Sequence, residues 1–303
     1  MSQTFQPALR PQSRSLQKRN TVTGWLFILP NLIGFCAFTL VPVLMSIVMS
    51  FSDWNGFGAF HFTGLENYRI IFGDSSFRIA LWNTVVFAVF NVLIVMVLSF
   101  LLAMLLNRHL IGRNLFRAAV FFPYMVSSLA ASCVWGMLLQ RDYGLVNQLL
   151  RAIGITNPPG WAASSQWAMA TVVLVTVWKS AGYYMVIFLA GLQSVPATLY
   201  EAATIDGASP LQQTFSVTIP MLQHTTYFVL MMLIISSFQT FDLIYLMTKG
   251  GPGRATLTLS QYIYDQGFSY FNVGRASAAA LVLFVIVAGL TMLQKKFEKK
   301  QMR

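Results

Sequence analysis

Residues 196–220 read PATLYEAATIDGASPLQQTFSVTIP, a short polar interruption between two long apolar runs. Thr198 followed by Glu201 is a capping-box pattern, in which the hydroxyl and the carboxylate satisfy the free amides of a helix start. This pattern predicts a helix over 199–206. Gly207 follows it, and glycine readily takes the left-handed conformation that ends a helix. We call residues 196–220 the elbow.

The second half of the elbow predicts another helix. Ser209 caps its start, Pro210 occupies the first helical position, and Gln212 is the capping partner. Ile219 precedes Pro220, and the residue before a proline is disfavoured from helical angles, so we expect the chain to break there. The elbow therefore predicts two short helices joined at a glycine.

The rest of the chain is strongly apolar. Of its 303 residues, 56% are hydrophobic and only 10% are charged, and the apolar residues come in runs long enough to cross a bilayer at about 20 residues each. This pattern predicts an all-α, polytopic membrane protein. The six predicted spans are 24–51, 79–106, 117–139, 167–194, 221–247 and 272–293. Pro30 and Pro42 are expected to bend the first span.

The distribution of positive charge predicts the orientation. Twelve Lys and Arg residues fall on the side of the two chain ends, the 107–116 loop with Arg117 at its boundary, and the elbow, and six fall on the other side. By the positive-inside rule, both termini and the elbow are expected in the cytoplasm. Residues 1–23 and 294–303 are then cytoplasmic basic tails, and residues 24–293 form the six-span membrane domain.

Several function classes are disfavoured by the same residues. The net charge of +11 gathers at the ends of apolar runs, which membrane topology explains better than binding to nucleic acid. Cys36 and Cys133 both lie in apolar runs, as packing residues would. The three histidines are scattered and show no metal-ligand spacing, so no metal site is expected.

The elbow resembles the EAA loop of ABC importer permeases, whose pattern is E-A-A-x3-G-x9-I-x-L-P. The matching residues are Glu201, Ala202, Ala203, Gly207 and Pro220, with Val217 and Ile219 as conservative departures. The resemblance implies a cytoplasmic coupling helix between spans four and five that docks into a cleft on an ATP-hydrolysing subunit. Its acidic tip, Glu201 and Asp206, lacks any Lys or Arg, which suits a basic protein cleft. The alternative is that Glu201 only caps its own helix.

Two outer loops extend the resemblance to carbohydrate importers of the maltose and glycerol-3-phosphate type. They are GLENY at 64–68 and TKGGPG at 248–253. The resemblance implies a bacterial cytoplasmic (inner) membrane permease subunit that carries a sugar or related solute. It also implies three partners: an extracytoplasmic solute-binding protein, an ATPase dimer and a second permease, usually a different chain.

No ATP site appears in the sequence. The Gly-rich turn 250–253 is followed by Arg254 and Ala255 and lacks the G-x-x-x-x-G-K-[S/T] phosphate cradle. ATP and Mg are therefore expected on the partner ATPase subunits, and no catalytic site is expected in this chain. A secondary carrier without an ATPase is the alternative; its coupling-ion site would need Asp242 and Lys179.

A substrate path is expected where polar and aromatic side chains fall inside spans, because such side chains usually face the interior. Carried over by position from maltose-type permeases and extended to their neighbours, the predicted residues are Thr176, Trp178, Tyr183, Tyr184, Ser237, Gln239, Thr240 and Asp242. In the fourth span Thr176, Tyr183 and Tyr184 share one helix face with Ser180. The alternative is that the hydroxyls pair helices and the tyrosines form an interfacial belt.

Lys179 allows three interpretations. It pairs with Asp242 across the bundle, extends its ammonium to the membrane surface, or meets an anionic substrate.

Overall fold

The computed structural model describes residues 14–108 and 110–301, so part of the predicted N-terminal tail lies outside it. These residues form helices with no β-sheet; an isolated bridge joins Ser52 to Phe62. The first eight helices are α1 Arg14–Phe35, α2 Val41–Met49, α3 Glu66–Gly73, α4 Ser75–Asn107, α5 Arg113–Met125, α6 Ser128–Leu138, α7 Leu145–Ala152 and α8 Ala168–Gln193. The next seven are α9 Ala197–Ile205, α10 Pro210–Gln213, α11 Ile219–Met221, α12 Gln223–Gln239, α13 Asp242–Thr248, α14 Leu259–Tyr264 and α15 Val273–Gln301.

Within the part of the chain that the structure describes, four stretches are continuous and apolar enough to span a membrane: 23–49, 75–107, 168–193 and 273–300. Two further spans are bent pairs of helices, and counting each pair as one span gives the six that the sequence predicts. The last span continues as helix through residue 301, so the C-terminal basic residues up to that point extend α15.

The first span contains a π-helical turn at Cys36–Leu40 between α1 and α2. Pro30 lies inside α1, and Pro42 lies in the first turn of α2, directly after the π-helical turn. The apolar window of this span has none of its residues buried by the rest of the chain. The first span therefore stands largely apart from the core and touches it mainly through α2 and α15.

The core lies where α4 packs along α8, with α5 and α12 on either side. Phe87 of α4, Phe188 of α8 and Leu233 of α12 are each no more than 1% exposed. Phe100 and Phe188 meet edge to face with ring centroids 5.7 Å apart. In a bilayer, where lipid tails are as apolar as these side chains, close van der Waals packing of this kind holds the central helices together.

A second cluster closes the end of the bundle opposite the elbow. Ile71, Phe77 and Tyr262 are buried there beside small residues of α15. The Tyr262 hydroxyl donates a 2.8 Å hydrogen bond to Asp74. Burial, together with this contact, raises the pKa of Tyr262 well above its ordinary value, so the phenol stays protonated and keeps donating. This hydrogen bond joins the segment that precedes α4 to the segment that precedes α15.

The third span is not the single helix predicted over 117–139. α5 and α6 meet at an angle of 98°. Pro123 lies in the last turn of α5, and Val126 leaves the helix with extended angles. Ser127 then caps α6 by accepting a hydrogen bond from the amide of Ala130, 3.1 Å away. A proline followed by a strong capping residue explains the break.

The fifth span breaks at two places where a continuous helix was predicted over 221–247. Ile219 keeps helical angles before Pro220, so the predicted break there is wrong. The bend of 69° falls instead at Leu222, after a π-helical turn at Thr214–Thr218. A second interruption, at Thr240 and Phe241, separates α12 from α13.

We expect Gly182→Ala to destabilise the bundle, because the backbone of α5 lies directly against Gly182 of α8. A Cβ there would lie 2.9 Å from the Cα of Phe121 and closer still to the carbonyl of Val120. Overpacking of this kind costs about 1–3 kcal/mol, which a lower Tm of the detergent-purified protein would report. Gly136→Ala is the matched control, because nothing lies within 4 Å of its added methyl group. An equal Tm for both variants would contradict the close approach.

Candidate functional site

The first arm of the elbow is α9, which begins two residues before the predicted start. Pro196 occupies the N-cap position, without a side-chain hydrogen bond, and the helix starts at Ala197. Thr198 is thereby placed inside the first turn, so the predicted capping box with Glu201 is wrong. Glu201 is free of this role and its side chain is exposed.

The end of α9 matches the prediction. Gly207 has φ +77°, in the left-handed region. The amide of Ala208 donates to the carbonyl of Ala203 at 2.9 Å, and the amide of Gly207 donates to that of Thr204 at 3.1 Å. This pair of hydrogen bonds is a Schellman motif, so Gly207 sets the direction in which the chain leaves the helix.

The second arm begins with the capping box that Ser209 and Gln212 predict. The amide of Ser209 donates to Oε1 of Gln212 at 2.7 Å, and the amide of Gln212 donates to Oγ of Ser209 at 3.4 Å. The arms are also tied to each other, since the hydroxyls of Tyr200 and Thr218 lie 3.0 Å apart. The elbow is therefore a braced unit.

The surface of the elbow mixes acidic and apolar side chains. Among the predicted coupling residues Glu201, Ala202, Asp206, Gly207 and Pro220 are exposed and Ala203 is half-buried. Ile205 is 86% exposed, Leu211 69% and Phe215 64%. Apolar exposure of this size on a polar segment marks a surface suited to contact with another protein.

The second candidate site is a cavity of about 370 Å³ between α4, α5, α6, α8, α12 and α13. Six of the eight predicted substrate-path residues line it: Thr176, Tyr183, Tyr184, Gln239, Thr240 and Asp242. The interruption at Thr240 and Phe241 lies in its wall. Irregular backbone at membrane depth is tolerated where it borders a polar cavity, which accounts for the position of this interruption.

One wall of the cavity is aromatic. Tyr124 of α5 stacks on Tyr183 of α8 with centroids 4.5 Å apart and planes 18° from parallel. Tyr184 meets Tyr183 edge to face at 5.1 Å. Its hydroxyl lies 3.2 Å from Oγ of Ser236 on α12. Flat apolar ring faces thus stand beside hydroxyl and amide groups, an arrangement that can bind a molecule with both apolar and hydrogen-bonding faces.

Trp178 and Ser237 do not line this cavity. Trp178 packs edge to face on Trp135 of α6, with centroids 5.4 Å apart. Ser237 is 2% exposed and accepts a 2.9 Å hydrogen bond from the amide of Asn91. Both side chains join helices, and for Ser237 this is the alternative that the sequence left open for hydroxyls inside spans.

Lys179 takes a position that none of the three sequence interpretations included. Its ammonium donates a hydrogen bond to the carbonyl oxygen of Val126, the residue that ends α5 at the break of the third span. A cation at a helix C-terminus satisfies a free carbonyl and meets the negative end of the helix dipole. Asp242 lines the same cavity as Lys179.

The sequence interpretation did not include Asn91, Tyr124, Ser128 or Phe241, which also line the cavity. Asn91 is a polar residue inside a predicted span, so the criterion used for the fourth and fifth spans would have found it. Tyr124 and Ser128 flank the break in the third span and come to the cavity only because the helix bends there.

The comparisons with known proteins agree with this architecture. A family model described as a binding-protein-dependent transport system inner membrane component matches residues 96–303. The lactose transport system permease protein LacF of Rhizobium radiobacter is 36% identical over 285 residues, 92% of this chain and 95% of that protein. The sn-glycerol-3-phosphate transport system permease protein UgpA of Agrobacterium fabrum is 33% identical over 284 residues, 93% of this chain and 96% of that protein.

A solved structure has the same fold. It is that of a bacterial alginate ABC transporter in complex with an alginate pentasaccharide-bound periplasmic protein. One of its chains matches with a TM-score of 0.83 at 21% identity, over 96% of this chain and 98% of that chain. At this identity the likeness shows the fold alone.

The fold and the matches define a membrane permease subunit of ATP-binding-cassette importers. The chain belongs to the family of binding-protein-dependent transport system inner membrane components. The predicted fold class, the predicted family and the prediction that the chain is not itself an enzyme are confirmed. It is therefore a multi-pass protein of the inner membrane, and nothing in these findings supports the alternative of a secondary carrier.

We expect Ser237→Ala to lower stability and to leave solute affinity unchanged. The substitution removes the partner of a buried Asn91 amide, which costs about 1–3 kcal/mol. The Tm of the purified transporter should fall, and uptake per folded complex should keep its concentration dependence. Ser269→Ala, at an exposed position, is the control. A weaker apparent affinity with an unchanged Tm would return Ser237 to the substrate path.

Proposed function

We propose that the elbow docks into a cleft of an ABC ATPase subunit and transmits the motion of its nucleotide cycle to the spans. The support is its surface. Exposed Glu201 offers an ionic contact, and Ile205 beside it offers an apolar one. A braced unit between two spans transmits force better than a flexible loop, because little of an imposed displacement is lost in bending.

In this proposal the elbow and both chain ends face the cytoplasm. The excess of Lys and Arg on that side supports the orientation. The acidic, base-free elbow departs from the rule, and a surface that meets a basic protein cleft has no need of positive charge. ATP and Mg are bound by the ATPase subunits.

A second permease chain of different sequence completes the transport pathway. The first span supports this arrangement, since its apolar window is not buried by the rest of the chain. Trp25, Phe27 and Phe38 on this span are each more than half exposed. A neighbouring membrane subunit packed on this span would give these side chains the helix contacts that their own chain does not supply.

The cargo in this proposal is a carbohydrate delivered by an extracytoplasmic binding protein. The relatives named above transport lactose and sn-glycerol 3-phosphate by their names, and a further relative in Bacillus subtilis, AraP, transports arabinooligosaccharides. The observation that carries the proposal is the cavity wall. Tyr183 offers a ring face for an apolar sugar face, and Gln239 and Thr240 offer hydrogen bonds to hydroxyls.

Transport follows from alternating access about this cavity. α8 ends at Gln193, three residues before α9, and α12 begins just beyond Leu222 at the other end of the elbow. The two helices that carry most of the cavity residues are therefore the two that the elbow joins. Closure of the ATPase subunits moves the elbow, the cavity opens to the outer face to receive the sugar, and hydrolysis returns it inward.

We expect Glu201→Ala to weaken association with the ATPase subunit about tenfold or more, the worth of a charge-assisted contact. Ile205→Asp should weaken it through the apolar part of the surface. Co-purification with the ATPase and ATP-driven uptake in proteoliposomes measure the effect. Glu66→Ala is the control, because Glu66 is an exposed acid on the face opposite the elbow. Normal association and uptake in both elbow variants would contradict docking.

We expect Gln239→Ala and Tyr183→Leu to reduce uptake of the transported sugar about threefold to tenfold, the worth of one hydrogen bond or ring contact. A thermal-shift screen of the cognate binding protein with maltose, lactose, arabinobiose and glycerol 3-phosphate first identifies a cargo. Trp178→Phe is the control, because it keeps an aromatic contact with Trp135 outside the cavity. No response to any carbohydrate, or unaltered uptake in both cavity variants, would defeat the assignment.

A further inference from the structure

The last helix, α15, continues past its apolar run as a strongly basic segment. Lys295, Lys296, Lys299 and Lys300 follow the run, and all four side chains are exposed. The segment stays helical through Gln301, so each side chain leaves the helix axis in a defined direction. The side of the helix on which the lysines lie therefore determines what they can contact.

Gln294 identifies the side of α15 that faces the bundle. Its Nε2 donates a 2.7 Å hydrogen bond to the carbonyl of Tyr227 on α12. Glu298 lies on the same side, because residues four positions apart share a helix face. Gln294 and Glu298 are half-buried, whereas the other residues of 292–300 are exposed. The one acidic residue of 292–300 is thus on the bundle side.

The opposite side of the segment carries a shallow groove of basic and apolar side chains, which we call the lysine face. Its lining residues are Leu293, Lys296, Phe297, Lys299 and Lys300. Lys296 lies two positions from Gln294 and from Glu298, which is about half a turn around the helix, so the lysine face points away from the bundle. Leu293 is 55% exposed and Phe297 65%. The groove thus combines three lysines with uncovered apolar surface and contains no acid.

The lysine face continues a side of α15 that this chain leaves uncovered. Val285 and Met292 are 66% and 73% exposed. Lys296 follows Val285 by eleven positions and Met292 by four, which places all three on one helix face. The basic groove therefore lies directly beyond apolar surface of the last span, at the depth where acyl chains give way to headgroups.

We propose that the lysine face binds the headgroup of an anionic phospholipid. Lysine side chains at this depth extend their ammonium groups to the phosphates, and Leu293 and Phe297 meet the upper part of the acyl chains. Lysines clustered directly beyond a membrane span attract anionic lipid. The inference goes beyond the proposed transport function, and in the orientation proposed above the lipid belongs to the cytoplasmic leaflet.

An ATPase subunit suits the lysine face less well than lipid does. In the proposed function the acidic elbow docks into a basic cleft of that subunit, with Glu201 as the ionic contact. A basic groove would meet the same positive charge and be repelled by it. Phospholipid phosphate has the opposite charge, and its acyl chains match the apolar residues of the groove.

The test uses the complete transporter, with its ATPase subunits, purified in detergent. Phosphatidylglycerol is titrated in, with zwitterionic phosphatidylcholine as the reference, and the apparent Tm reports binding. We expect phosphatidylglycerol alone to raise the Tm. Lys296→Gln/Lys300→Gln should raise the required concentration about tenfold or more, and Lys296→Arg/Lys300→Arg should behave as wild type because it keeps both charges. Lys295→Gln removes the same charge outside the lysine face, so it should change the titration less than Lys296→Gln does.

Three results would overturn the inference. They are an equal response to phosphatidylglycerol in the wild type and in Lys296→Gln/Lys300→Gln, equal stabilisation by phosphatidylcholine, and loss of the ATPase from that variant with its lipid response unchanged. The last result would make the lysine face a protein contact.

A salt titration of the wild type decides the matter if the double variant does not assemble. At about 1 M salt, charges more than about 3 Å apart are screened, so a preference for phosphatidylglycerol that persists unchanged would contradict binding through the lysines. Glu201→Ala tests docking of the elbow and leaves the lysine face intact. Failure of either proposal is therefore seen separately from failure of the other.

Discussion

The membrane allows backbone to leave helical geometry only where its polar groups find partners, and the interior of this protein is arranged by that constraint. The third span breaks at Val126, and the ammonium of Lys179 takes the carbonyl that the break frees. The fifth span breaks at Thr240 and Phe241, in the cavity wall. Placing a lysine inside a span costs free energy, and here its ammonium satisfies a carbonyl at the end of a helix.

The two breaks create the cavity that they border. The bend at Val126 turns α5 and α6 by 98° and brings Tyr124 and Ser128 to a cavity whose other wall is α8. The stacked pair of Tyr124 and Tyr183 then forms across the two helices. The departures from regular helix therefore supply part of the polar and aromatic wall of the cavity.

Local chemistry explains which parts of the elbow the sequence predicts. The Schellman motif at Gly207 and the capping box at Ser209 each depend on residues within six positions of each other, so the local sequence predicts both. The Thr198 box fails because Pro196 starts the helix earlier. The hydropathy pattern does not predict the breaks inside the spans, because hydropathy is averaged over about 20 residues, whereas a break needs a change in only one or two backbone angles. The partner of Lys179 lies 53 positions away and is a carbonyl, which side-chain patterns do not reveal.

The choice of cargo is a matter of side chains and not of fold. Relatives about equally similar to this chain are named for the transport of lactose and of sn-glycerol 3-phosphate, so proteins of similar sequence are named for neutral and for phosphorylated solutes. Discrimination must then arise where solute meets protein. In the proposed function that surface is the cavity, which combines ring faces with hydroxyl and amide groups and holds both Lys179 and Asp242. We expect such a surface to favour a neutral ring over a dianion, because the dianion would lose hydration and meet a carboxylate as well as an ammonium.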